Sequence, residues 1–371
     1  MSSYSSIQKK NRSYGLDLMR IIMTLFVCAI HTIYKGGLSG AVDDQPKKKA
    51  LVILLEFTVS CAVNGFAVIS GYVGLNSRFR LSRIASLYFT VSFYNILIPI
   101  IFHFHSGYVI DRVVLLRAIF PFAYDANWYF TAYFGMFFLI PFMNAAIKHV
   151  DRKQCNIALL AIMIFFSVIP TALYMWFKDG YDINIFKLSC GYSTLWIAVL
   201  YLVGAAIREY SLFSKVPKFV WLICYIAATL FGSAYAIFRT FALDKEFTPL
   251  SAYNSPIIII QAIGLLMFFK DMKLPKAADK VIAFIAPHTF SIYIIHTQDA
   301  LWLLWLMGRY TPDGQKSIFI LPFLFCWRVV FLFTMCMIAD MPLHCCMKYI
   351  PRIFRKSGSS AAQTQKEKIN V

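Results

Sequence analysis

Residues 16–34 read LDLMRIIMTLFVCAIHTIY. A run this long and this apolar crosses about 30 Å of hydrocarbon as a helix, yet it contains Asp17, Arg20 and His31. At about 100° per residue, Arg20 and His31 project within about 20° of each other, and Asp17 and Thr24 within about 60° of Arg20. One face therefore carries Asp17, Arg20, Thr24 and His31, with the two basic groups about 16 Å apart along the axis. Ionisable groups in hydrocarbon cost several kcal/mol without a partner or a wet cavity, so each is a candidate functional residue. A plainer account covers the same residues: Asp17 and Arg20 pair at i,i+3 near the interface, and His31 reaches the headgroups. A cleavable signal peptide fits poorly, because its apolar core would not hold these three groups.

The rest of the 371-residue chain repeats the pattern. Hydrophobic residues make up 59% and charged residues 15%, against about a quarter charged in soluble domains, and the mean hydropathy is +0.64. Apolar runs fall at about 16–34, 51–73, 84–104, 126–147, 156–177, 189–207, 217–238, 253–269, 284–306 and 318–339. Runs of this length satisfy their backbone hydrogen bonds as helices, not barrel strands. The expected fold is all-α: a polytopic membrane protein of about ten transmembrane helices in one bundle. Residues 1–14 form an N-terminal cytoplasmic segment, 15–342 the membrane domain, and 343–371 a basic cytoplasmic tail, disordered from about Lys356.

The net charge of +18 does not point to nucleic acid, because the cations sit in short loops between apolar spans. With the N-terminus inside, 23 of the 36 Lys and Arg residues fall on the cytoplasmic side and 12 outside. That asymmetry favours both termini in the cytoplasm. Lys47, Lys48 and Lys49 are the one awkward outer block, preceded by Asp43 and Asp44. The nine cysteines are scattered without CxxC spacing, and no metal site is expected. No inverted repeat of the kind many transporters carry is visible.

Polar residues recur in the later spans. The second span holds Glu56 and Asn64 and ends at Ser70-Gly71-Tyr72, where close helix packing explains the small residues. Arg80 and Arg83 follow, three apart at a helix start. They suit either a shared anionic ligand or ordinary positive-inside anchoring. Trp128 opens the fourth span and by itself is a belt aromatic. His296 lies mid-helix in the ninth span and needs a partner within the bundle.

Taken in order, these segments resemble acyltransferase family 3, the integral-membrane acyltransferases that include bacterial polysaccharide O-acetyltransferases. The likeness rests on Arg20 through His31, Phe66 to Tyr72, the Arg80 and Arg83 pair, Trp128-Tyr129-Phe130 through Pro141, and Ser291 to His296. It spans about residues 15–340. Tyr72 and Tyr129 depart from the commoner phenylalanines at their positions. The chain has no appended hydrolase-like domain, so its chemistry must use the membrane core.

The resemblance implies an O-acyltransferase in the bacterial inner membrane. The donor would be cytoplasmic acyl-CoA, chiefly acetyl-CoA, and the acceptor a hydroxyl of a cell-surface or lipid-linked polysaccharide. His31 is the expected general base and Arg20 the cation beside it. Arg80 and Arg83 match the coenzyme A phosphates, and Asp17, Ser70, Trp128 and His296 complete the expected substrate site. Ser70 is an acyl carrier only in principle; direct transfer needs no covalent intermediate. A transporter or flippase for a glycan precursor is the alternative, with the same ionisable groups forming a pathway.

Overall fold

A computed structural model describes residues 12–123, 127–176, 185–244 and 248–369, with side chains in the last helix as far as Met347. Helices α1 (Tyr14–Tyr34), α2 (Pro46–Val59), α3 (Ala62–Gly74), α4 (Leu81–Ser106), α5 (Arg112–Ile119), α6 (Trp128–His149) and α7 (Arg152–Met163) come first. They are followed by α8 (Ile169–Trp176), α9 (Thr194–Glu209), α10 (Lys218–Ala242), α11 (Pro256–Phe269), α12 (Lys276–Ile285), α13 (Thr289–His296) and α14 (Leu321–Ile369). Among the described residues there is no strand, and nine helical stretches are long and apolar enough to cross a membrane. The chain is an all-α polytopic membrane protein.

The expected sixth span is α9, a helix of 16 residues and so about 24 Å long. Its ends are located by α6. Gly135, near the start of α6, lies against Thr194. At the far end the Tyr210 hydroxyl donates to the carbonyls of Ile147 and Val150. The helix therefore runs parallel to α6 through the same depth, sheathed by its neighbours. That accounts for eleven of its residues being buried.

Three boundaries depart from the sequence reading. The second span is two helices meeting at Ser60 and Cys61, where the Ser60 hydroxyl donates to the Glu56 carbonyl at 2.7 Å. The ninth starts at Lys276 and stops at His296, not near 306. Its end is set by Thr297, whose hydroxyl turns back onto the Tyr293 carbonyl. A short turn at Asp299–Leu301 and a wide helical turn at Trp302–Leu306 follow it. Residues 189–193, expected within the sixth span, form a tight turn ahead of α9. The tail expected from about Lys356 falls where no side chains are described.

Helix α1 joins two apolar cores. Leu16, Met19 and Met23 pack with residues of α3, α6, α9 and α11. Ile21, Cys28, Ala29 and Ile33 pack with residues of α4, α13 and α14. Arg20, Thr24, Val27 and His31 lie between these faces, within about 60° of arc. A second anchor holds α13 in place. The buried Asp340 carboxylate on α14 accepts from the Tyr94 hydroxyl of α4 at 2.8 Å and from His288 Nδ1 at 2.5 Å, just ahead of α13.

The most extensive helix contact joins α3 to α9, and glycines allow it. A Cβ on Gly71 would stand 1.9 Å from the Tyr201 carbonyl oxygen, and one on Gly204 would stand 2.0 Å from that of Val68. Backbone cannot yield that far. Gly204→Ala should therefore lower the yield of folded protein sharply, whereas Gly40→Ala, whose nearest neighbour is Asp43 Oδ2 at 3.9 Å, should not. Size-exclusion profiles and thermal denaturation in detergent read the difference.

Candidate active site

The polar stripe of α1 faces a cavity of about 210 Å³. Arg20, Thr24 and His31 form one wall, and Ser70 of α3 contributes at another. Trp128, Tyr129 and Tyr133 of α6, Tyr253 ahead of α11, and Phe290 and Tyr293 of α13 complete it. The one-face reading of α1 thus corresponds to a real interior surface.

Asp17 is buried and sits between two arginines. Its Oδ1 accepts from Arg20 Nη1 at 2.7 Å and its Oδ2 from Arg12 Nε at 2.6 Å. The i,i+3 pair foreseen as the plainer account is present, and it coexists with the cavity. A guanidinium has five N–H donors in a planar fork, so the bond to Asp17 fixes Arg20 without exhausting it.

His31 and His296 meet, although 265 positions separate them in the chain. His31 Nδ1 lies 2.9 Å from His296 Nε2, and His296 Nδ1 lies 2.5 Å from the Ile292 carbonyl one turn earlier. The carbonyl can only accept, so His296 carries its proton on Nδ1 and presents a lone pair at Nε2. His31 must then donate from Nδ1, which leaves its own Nε2 unprotonated. These tautomers follow from the hydrogen-bond partners. His296 is fully buried, and the ring of Trp302 packs edge-on against His31 with centroids 5.2 Å apart. The imidazole at position 31 is held by its neighbours, with a basic nitrogen to spare.

The aromatic wall is built from one asparagine. Asn64, fully buried in α3, donates from Nδ2 to the Tyr253 carbonyl at 2.6 Å and accepts at Oδ1 from Trp196 Nε1 at 3.3 Å. This pins Tyr253, whose ring stacks on Trp128 with centroids 5.8 Å apart. Tyr192 closes on Trp128 at 4.5 Å. Trp128 is therefore a wall residue of the cavity, beyond what a belt position explains.

The remaining candidates are less closely gathered. Ser70 lines the cavity, but its hydroxyl donates to the Phe66 carbonyl of its own helix at 2.8 Å. Arg80 is the N-cap of α4, and both Arg80 and Arg83 are exposed and outside the cavity lining. Arg83 nevertheless lies near enough to act electrostatically on Tyr133, as does Arg20. Sequence reading missed Tyr133, Tyr253, Tyr293 and Trp302. Tyr129 and Tyr133 stand one helical turn apart, a signal that was available; Tyr253 gave none, since a distant asparagine positions it.

Among the described residues, His288, Asp340 and His344 could hold a metal ion, with ligand atoms within 4.8 Å of one another. Both Asp340 oxygens already accept hydrogen bonds, and none of the three lines the cavity. They act here as the clasp between α13 and α14.

With this geometry established, comparison with known proteins gives a clear outcome. The family model described as an acyltransferase domain matches residues 13–339. The chain belongs to acyltransferase family 3. No curated protein and no solved structure matches it. Membership makes the protein a membrane acyltransferase, and the transporter alternative is set aside. The match runs from the base of α1 through most of the membrane-crossing part of α14, so it takes in every wall of the cavity.

If the His31–His296 bond orients the base, an acceptor at position 296 matters more than side-chain shape alone. His296→Leu should lower acyl-transfer turnover by about tenfold or more. His296→Gln, whose side-chain oxygen can accept near the position of Nε2, should retain more activity than His296→Leu. Turnover of the two purified variants at equal protein concentration provides the comparison.

Proposed function

We propose that this acyltransferase moves an acetyl group from acetyl-CoA to a hydroxyl of a cell-surface or lipid-linked polysaccharide, with His31 as general base. The observation carrying this reading is the His31–His296 pair, opening its basic nitrogen on a cavity that also holds Arg20.

In this scheme His31 Nε2 takes the proton of the sugar hydroxyl as its oxygen attacks the thioester carbon. The C–S bond breaks, the coenzyme A thiolate leaves, and the proton on Nε2 passes to sulfur. The products are the sugar ester and free coenzyme A, and the enzyme is regenerated. An alcohol is a poor nucleophile near neutral pH, and a positioned base typically contributes 10²–10⁴-fold. The lone pair of His296 Nε2 stabilises the imidazolium that forms, because its hydrogen bond to His31 Nδ1–H strengthens as charge develops. No covalent intermediate is required. Ser70, with its hydroxyl turned into its own helix, serves packing and lines the wall.

The donor approaches from the end of the bundle that holds Arg20, Arg80 and Arg83, which this reading takes as the cytoplasmic face of the inner membrane, in keeping with the excess of basic residues on that side. Guanidinium pairs suit the coenzyme A phosphates, and the Arg20–Asp17 pair supplies a fixed cation partway in. The pantetheine arm then follows the polar stripe of α1 toward His31, with Trp128 and the tyrosines forming the apolar sides of its path.

Two measurements test this reading. His31→Ala, inserted at the wild-type level, should abolish incorporation of radiolabelled acetate into surface polysaccharide; persistent incorporation would remove His31 from the chemistry. Arg80→Ala and Arg83→Ala should each raise KM for acetyl-CoA several-fold in thioester-cleavage assays of the purified protein, with little change in kcat. Unchanged KM values would mean that these arginines do not bind the phosphates.

A further inference from the structure

Beyond His31 the interior space continues. A cavity of about 170 Å³ shares Ile30 and Tyr253 with the site and also touches Glu56, Ser60 and Tyr192. It shares Tyr34, Glu56 and Ser251 with a third space of about 600 Å³ at the end of the bundle opposite Arg20. Three spaces thus follow one another along α1, and the one farthest from Arg20 is the largest.

The chemistry changes along the way. The middle space is ringed by hydroxyl-bearing side chains around one carboxylate. The Tyr34 hydroxyl faces the Glu56 carboxylate, and the Tyr192 and Tyr253 rings pack together with centroids 4.8 Å apart. The large space adds Asp43, Asp244 and Lys49. Lys49 pairs with Asp43, so its charge is met, and Glu56 and Asp244 leave the lining net negative. Glu56 sits where the second span breaks, placing a carboxylate at membrane depth. Such a group is retained where it faces a wet path or a ligand.

We propose that these two spaces are the acceptor subsite, in which Glu56 and Tyr34 bind ring hydroxyls of a neutral or amino sugar. This rests on the function proposed above and names the class of acceptor. A carboxylate accepts strong hydrogen bonds from adjacent sugar hydroxyls, and tyrosine faces suit the apolar side of a pyranose ring. The same lining disfavours a uronate, because like charges in a partly dry cavity repel. Shape agrees as well: an oligosaccharide fits the wide outer space, and one residue at its end advances through the neck toward His31.

Binding is read without any acyl donor, so that the subsite is tested separately from the acyl-CoA reading. Isothermal titration of the full-length protein in detergent uses three probes: tetrasaccharides of N-acetylglucosamine, of glucosamine and of galacturonic acid. The neutral or the amino probe should bind and the uronate probe should bind at least about tenfold more weakly. Glu56→Gln and Tyr34→Phe should each weaken the favoured probe by about tenfold, and Thr240→Trp, which fills the large space from α10, should abolish its binding. Equal binding of the uronate, no binding of any probe, or unchanged affinity in Glu56→Gln and Tyr34→Phe would overturn the proposal. Acetyl-CoA cleavage by the same samples reports separately on the donor reading. Loss of that cleavage in the wild type would sink the donor scheme while leaving the sugar-binding result to stand on its own.

Discussion

Hydrocarbon does not solvate polar groups, and the central charged and hydrogen-bonding side chains of this bundle are arranged under that constraint. Asp17 sits between two guanidinium groups, His296 between a carbonyl and a second imidazole, and Asp340 between a phenol and a histidine. The Asp17 pairs stay within the start of α1, whereas the His296 and Asp340 chains tie helices that lie far apart in sequence. The polar residues therefore do two things at once: they fix the relative positions of α1, α4, α13 and α14, and they leave selected atoms facing the interior space. His31, which lines that space, is the clearest of these, since its tautomer follows from a carbonyl on another helix.

The His31–His296 pair differs from the arrangement in which a carboxylate orients a catalytic imidazole. Here the orienting group is itself a neutral imidazole, backed by a backbone carbonyl. In a low-dielectric interior a second carboxylate would carry a large desolvation cost, whereas an imidazole supplies an acceptor without a net charge. The arrangement fits the depth at which it is placed, and it adds no negative charge to the cavity.

Much of this was legible in the sequence because the period of a helix is short and regular. The spacing of Arg20, Thr24 and His31 fixes their common face without any tertiary information, and the need of His296 for a partner follows from the apolar residues around it. What periodicity could not supply was the identity of partners across the bundle. Nothing local says that Asn64 holds Tyr253, that Trp128 leaves the belt for a cavity wall, or that Asp340 reaches Tyr94 and His288. Length misled in two places. The run at 284–306 is apolar on average, but Thr297, Gln298 and Asp299 interrupt it and the helix ends there, and the run at 51–73 conceals a break at Ser60. Hydropathy reports composition, and it is blind to a hydroxyl that turns back onto its own backbone.

Helix α1 belongs to both hydrophobic cores, with the cavity between its two packed faces. A slight hinge of one group of helices against the other about this shared axis would widen the space while stripping few apolar contacts from either side. The glycine-locked pair α3 and α9 gives one half a rigid frame, and the Asp340 and His296 contacts fasten α13 to the other.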